Sequence, residues 1–123
     1  MRRIETLLIA FVALQHLGFL ILEMFFWSEP LGIRVFGLDP EYAVESASLA
    51  ANQGLYNGFL AAGLVWSLIA TEDRFGKRIF FLGCVIVAGV FGAATASPSI
   101  LLIQALPAAT ALAVVGFSHR NAS

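Results

Sequence analysis

Four long apolar runs dominate this chain: Ile4 to Trp27, Leu49 to Ala70, Ile79 to Ala96 and Ile100 to Phe117. Crossing a bilayer takes about 20 helical residues, with a range of roughly 17–25, and all four runs qualify. Hydrophobic residues make up 59% of the 123, and the mean hydropathy is +0.87. A water-soluble domain of this size could not hide that much apolar surface, so lipid is the expected solvent. In hydrocarbon every backbone N–H and C=O must be satisfied inside the protein, which makes such runs helices. The alternating pattern of a membrane barrel is absent. The expected fold is an all-α membrane protein, a single domain over residues 1–123. It is a four-transmembrane-helix bundle, with helices over 4–27, 49–70, 78–96 and 98–118.

Charge sets the expected orientation. Arg2 and Arg3 precede the first helix; Arg74, Lys77 and Arg78 lie between the second and third; Arg120 follows the fourth. All six fall on one side if both termini are cytoplasmic, where Lys and Arg concentrate. The other side receives Arg34 with Glu29, Asp39, Glu41 and Glu45. The expected arrangement is therefore multi-pass, N-in and C-in. Trp27 and Trp66 fall near opposite interfaces, as anchoring aromatics do. Arg2 and Arg3 before an apolar run also resemble a signal peptide. The run is too long for one and ends in "EMFFWSEP" rather than small residues, so it reads as a retained helix.

The connections differ in kind. "TEDRFGK" is a short cytoplasmic turn, and "SPS" at 97–99 a tight outer hairpin with Ser97 as cap and Pro98 as first helical residue. The outer segment between helices 1 and 2 is longer. Its "LDPEYAVES" contains a helix start, with Asp39 as cap, Pro40 next and Glu41 in the first turn. That helix either continues into the membrane or bends near Ser46 to Ser48.

The polar residues of the apolar runs share a depth. At 1.5 Å per residue, Glu23 lies about 6 Å inside the outer end of helix 1, and His16 about 16 Å inside it. Helix 2 runs inward, which places Asn52 and Gln53 about one turn deep and Asn57 about 12 Å deep. Gln104 lies roughly one and a half turns into helix 4. His16 and Glu23 are seven residues apart, within about 20° on one face, a stripe that includes Glu5 and Trp27. Gln53 with Asn57, and Asn52 with Tyr56, are i,i+4 pairs. Beside them Ala50, Gly54, Gly58 and Ala61 form a small stripe, in which Gly54 and Gly58 make a GxxxG packing pair. The amides are expected to form one wall of a polar pocket in the outer half of the bundle, with Glu23 and His16 opposite.

The remaining special residues carry less chemistry. Cys84 reads as a small packed hydrophobe. Glu5 reads as interfacial, and His119 as a residue at a helix end interacting with the dipole. Pro107 is expected to kink helix 4 near Ile103. One His and one Glu are too few for a metal site, so no metal and no cofactor are expected. Catalytic-triad, phosphate-loop and haem motifs are missing, and no basic cluster suggests nucleic acid.

The blocks "LEMFFW" (Leu22 to Trp27), "VFGL" (Val35 to Leu38), "LAANQGLYNGFLAAGL" (Leu49 to Leu64) and "LIQALPA" around Gln104 resemble domain-of-unknown-function family 1304, small bacterial membrane proteins of about this length. The resemblance covers nearly the whole chain. It implies a four-helix integral membrane protein of the bacterial inner membrane and supplies no function and no site residue. Small multidrug transporters are similar in architecture, with four short-loop helices and a carboxylate in the first. Here Glu23 sits nearer the outer end, and the Asn-Gln-Gly block has no counterpart there.

Three functional readings follow. In the first, the pocket binds or transports a small amphiphilic or cationic molecule. Glu23 acts as a proton or charge switch, and Asn52, Gln53, Tyr56, Asn57 and Gln104 bind the ligand. Four helices enclose little volume, so a homo-oligomer, with a dimer favoured, is the expected partner besides the lipid bilayer. In the second, His16 and Glu23 are catalytic acid–base residues of an isomerase, cyclase or epoxide-opening enzyme on a lipid-like or terpenoid-like substrate. In the third, the polar cluster fixes helix register in a structural or assembly protein.

Overall fold

The computed structural model describes residues 2–122. Among these residues the chain forms six α-helices and one π-helical turn, and no strand. The long first helix, α1, spans Arg2–Phe25. Two short helices follow, α2 (Pro30–Phe36) and α3 (Pro40–Glu45), each with Pro at its first position, where a missing N–H costs nothing. Then come α4 (Ala47–Ile69) and α5 (Arg74–Thr95), a π-helical turn at Leu101–Ala105, and α6 (Leu106–Arg120).

Local chemistry explains where these elements begin and end. Gly37, at φ +64°, closes α2 in the left-handed conformation that lacks a Cβ penalty only for glycine. Asp39 caps α3: its Oδ1 accepts from the backbone N–H of Glu41 at 2.9 Å and of Tyr42 at 3.2 Å. Ser46, at φ −92° and ψ 2°, breaks the path from α3 into α4. The outer segment is therefore two short helices, and α4 does not run back to Pro40. Helix α5 begins at Arg74, earlier than residue 78, because Asp73 caps it through a 3.0 Å bond from the Gly76 N–H. At the 97–99 hairpin the Ser97 and Ser99 hydroxyls pair with each other at 2.8 Å.

Pro107 acts differently from a simple kink. It has no N–H to give, and its ring clashes with the carbonyl four residues back, that of Ile103. The chain answers with a widened turn, in which the Leu106 N–H donates to the Leu101 carbonyl five residues earlier. The single helix expected over 98–118 is thus a π turn followed by α6.

Among the described residues, three helices are long and apolar enough to cross a membrane: Arg2–Phe25, Arg74–Thr95 and Leu101–Arg120. The sequence reading expected four. Helix α4 has the length, 23 residues. Asn52, Gln53, Tyr56 and Asn57 in its first half lower its hydropathy. The distribution of side chains fits lipid. Leu7, Phe11, Leu14 and Phe25 of α1 are each more than half exposed, whereas Glu5, His16 and Glu23 on the same helix are buried. A water-soluble protein shows the opposite pattern.

The chain divides into two compact units, with the divisions falling within α1 and α4. One comprises Met1–Ala13 and Ala62–Ser123. In it α5 buries Leu82, Val85 and Gly89, while Ala105, Ala108, Ala111 and Val115 form the buried stripe of the π turn and α6. A Cβ at Gly89 would lie 2.9 Å from both Cβ and N of Ala105, so glycine permits the backbone approach. The other unit, Leu14–Ala61, holds most of the polar residues singled out above.

Candidate functional site

Within the Leu14–Ala61 unit, α1 and α4 meet through small residues. A Cβ added at Gly54 would lie 2.8 Å from Met24 Cγ, 3.0 Å from Glu23 Cβ and 3.1 Å from the Leu20 carbonyl oxygen. One added at Gly58 would meet Leu20 Cδ1 at 2.5 Å. The GxxxG face of α4 is therefore spent inside the chain, against α1. Ala50, Gly54, Asn57 and Ala61 lie on its buried side.

That close approach positions the polar pair. Asn57 Nδ2 donates to Glu23 Oε1 at 2.9 Å, and both side chains are buried, at 8% and 9% exposure. The bond spans 34 residues of sequence. The amide supplies an N–H but no charge. It can serve either protonation state of the carboxyl, because an oxygen lone pair accepts in both. Charge balance for an ionised Glu23 is a separate requirement, which a neutral amide does not meet.

His16 lies deeper on α1, fully buried, with its ring edge-on to Phe19 at a centroid distance of 5.5 Å. Two helical turns, about 10 Å, separate it along the axis from Glu23. Asn52, Gln53 and Tyr56 depart from the expected inward wall: all three are exposed. A helix turns 100° per residue, so burying Gly54 and Asn57 carries residues 52, 53 and 56 toward the outside. Tyr56 instead sets its ring edge-on to Phe59 at 5.7 Å. Gln104 is half-buried in the π-helical turn of the other unit. Among the described residues, no group of three His, Cys, Asp or Glu is placed to hold a metal ion.

Trp27, expected as an interfacial anchor, makes two specific contacts. Its Nε1 donates to Ser46 Oγ at 3.0 Å, and its ring packs on Phe36 at 4.9 Å. Ser46 Oγ in turn donates to the Tyr42 carbonyl at 2.6 Å. One side chain thus ties α2 and the α3–α4 junction to the end of α1.

The other unit contains polar contacts that sequence reasoning missed. Glu5, expected at an interface, is 4% exposed and pairs with Arg78 Nη1 at 2.6 Å. Its place on the buried stripe with Ile9, Val12 and His16 was the available signal. His119 stacks on Phe75, with centroids 3.8 Å apart and planes 15° from parallel. Lys77 Nζ lies 4.9 Å above the Trp66 ring, a cation–π geometry.

These features define a class: a small protein, helical throughout its described residues, with membrane-length apolar helices and a buried carboxyl–amide pair between one of them, α1, and α4. The family model described as "Protein of unknown function (DUF1304)" matches residues 10–116, and the chain belongs to that family. The chain is 30% identical over 95 residues to "Uncharacterized protein YpaA" of Lactococcus lactis subsp. lactis (strain IL1403). That alignment covers 76% of this chain and 80% of the relative. No solved structure matches the chain.

Proposed function

We propose that this chain is a four-span protein of the bacterial cell membrane, with both termini cytoplasmic, that binds or transports a small amphiphilic or cationic molecule at Glu23. The observation that carries this reading is the buried bond from Asn57 to Glu23. A carboxyl in a membrane helix is costly, about 2.5–3.5 kcal/mol at the bilayer centre on insertion scales, and such residues mark ligand or proton pathways by default. Asn57 orients the carboxyl without neutralising it. A proton and a ligand's cationic group are then alternative ways to balance its charge, and exchanging one for the other makes Glu23 a switch.

The remaining parts fit around that centre. Helix α4 serves as the fourth span, because its polar first half includes Asn57, which α1 shields. The exposed Asn52, Gln53 and Tyr56 give α4 a polar edge that an amphiphile or a second copy of the chain can reach. The six basic residues at the ends of the spans support the cytoplasmic assignment of both termini.

A structural reading has its own support. The Glu23–Asn57 bond sits beside the closest α1–α4 contact, at Gly54. Amide bonds between membrane helices contribute about 0.6–2 kcal/mol to association. One experiment separates the two readings. Small molecules retained by purified wild type, Glu23→Gln and Asn57→Ala are compared by mass spectrometry, after folding is confirmed for each. A compound enriched only in wild type supports the binding reading. Identical profiles, with lowered stability in the variants, leave the bond a structural one.

A further inference from the structure

A cavity of about 560 Å³ opens at one end of the three membrane-length helices, within the Met1–Ala13 and Ala62–Ser123 unit and separate from the Glu23 pair. Its wall is built from the start of α1, the end of α4, the start of α5 and the end of α6. The volume lies in the range of small-molecule sites, roughly 300–1,000 Å³.

Its chemistry favours an anion. Arg2, Arg74 and Arg78 line it, and Glu5 is the carboxylate among the lining residues. Glu5 is already engaged with Arg78 Nη1, which leaves the positive charge in excess. Two polar atoms of lining residues, Arg78 Nε and Ser118 Oγ, are buried and have no hydrogen-bond partner among the described residues. Orphan donors of this kind are rare in folded proteins and call for a partner. Arg74 is held in place by a bond from its Nε to the Ala70 carbonyl. The positive dipole ends of α1 and α5 are offset by the negative ends of α4 and α6, so the arginine side chains carry the attraction. Phe75, carrying the stacked His119 ring, supplies an apolar wall.

We infer that this cavity binds a phosphate-type anion at the membrane surface, with Arg74, Arg78 Nε and Ser118 Oγ as its donors. A guanidinium matches phosphate oxygens in a fork geometry, and a hydroxyl completes the set. The phosphate can come from an anionic phospholipid headgroup or from free phosphate. The position at helix ends, where lipid phosphates lie, suits the headgroup, and the excess positive charge suits an anionic one.

The full chain is reconstituted in nanodiscs of equimolar phosphatidylcholine and phosphatidylglycerol, and co-retained lipid is read by native mass spectrometry. Thermal stability in phosphatidylcholine discs is titrated with inorganic phosphate in parallel. Arg78→Gln also breaks the pair with Glu5, so Arg74→Gln and Ser118→Ala are the informative variants. Lys77→Gln is the control, because it removes equal charge from the same end of α5 outside the cavity. Wild type is expected to retain phosphatidylglycerol over phosphatidylcholine. Arg74→Gln should lower that preference about tenfold, Ser118→Ala should lower it less, and Lys77→Gln should not change it. Retention of phosphatidylglycerol that phosphate does not displace identifies a headgroup site. Stabilisation by phosphate, lost in Arg74→Gln and without lipid preference, identifies a free-anion site. Absence of both effects, or equal losses in Arg74→Gln and Lys77→Gln, overturns the inference.

Discussion

Asn57 on α4 donates to Glu23 on α1 at 2.9 Å, one turn beyond the glycine that lets those helices touch. Packing and polarity are therefore coupled. The small stripe brings the backbones close, and that closeness is what allows a short amide to reach the carboxyl. Removing the amide should destabilise the protein whatever Glu23 does in function. Asn57→Ala is expected to cost about 1–2 kcal/mol, and a double-mutant cycle with Glu23→Ala, which removes the accepting oxygen, should show coupling of about 0.6–2 kcal/mol. Unfolding measured in mixed detergent reads both. Strictly additive effects would mean the bond contributes nothing.

Gly54 and Gly58 of α4 should not respond alike. At Gly54 a new methyl group would meet the Leu20 backbone carbonyl and Glu23 Cβ, neither of which can swing aside. At Gly58 the obstruction is Leu20 Cδ1, the far end of a flexible side chain. Gly54→Ala is expected to lose about 1–3 kcal/mol, and Gly58→Ala distinctly less. Parallel unfolding curves for the two variants give the comparison, and the reverse order would contradict the α1–α4 contact described here.

Glu5 and Arg78 form a mostly buried pair, with side-chain exposures of 6% and 14%. Breaking such a pair from one side strands a charge. Glu5→Met or Arg78→Met alone should cost about 3 kcal/mol, and the double variant less than either single variant. The double variant distinguishes a stranded charge from lost packing, since packing losses would add. Thermal unfolding of the four proteins is sufficient.

Trp27→Phe keeps most of the ring surface and removes the bond to Ser46 Oγ. The expected loss is about 1 kcal/mol, concentrated in the outer segment. Hydrogen exchange should quicken in the α2–α3 region and remain unchanged in α5. Uniform loss of protection would show that Trp27 acts on the whole fold.

Composition and run length alone determined that the chain is helical and fitted to lipid, because hydrocarbon leaves a backbone almost no other choice. The Asp39-Pro40 start of α3 was legible too, since a cap is a contact between neighbours in sequence. The outer segment was only partly legible. Nothing local announces that Trp27 will reach Ser46 or that α2 will fold back beside it. Pro107 marked a disturbance, but a π turn and a kink answer the same missing N–H, and neighbouring packing selects between them.

Side-chain direction was the part left to tertiary structure. Asn52, Gln53, Tyr56 and Asn57 are close in sequence and similar in polarity, and their spacing is compatible with several rotations of α4. Burying Gly54 against Leu20 and Met24 chose one rotation, turned Asn57 to Glu23 and left the other three exposed. Glu5 and Arg78, 73 residues apart, met for the same kind of reason. A sequence states which groups must avoid hydrocarbon. Which of them meet depends on the helix rotation that gives the closest packing, and that rotation is a property of two surfaces together.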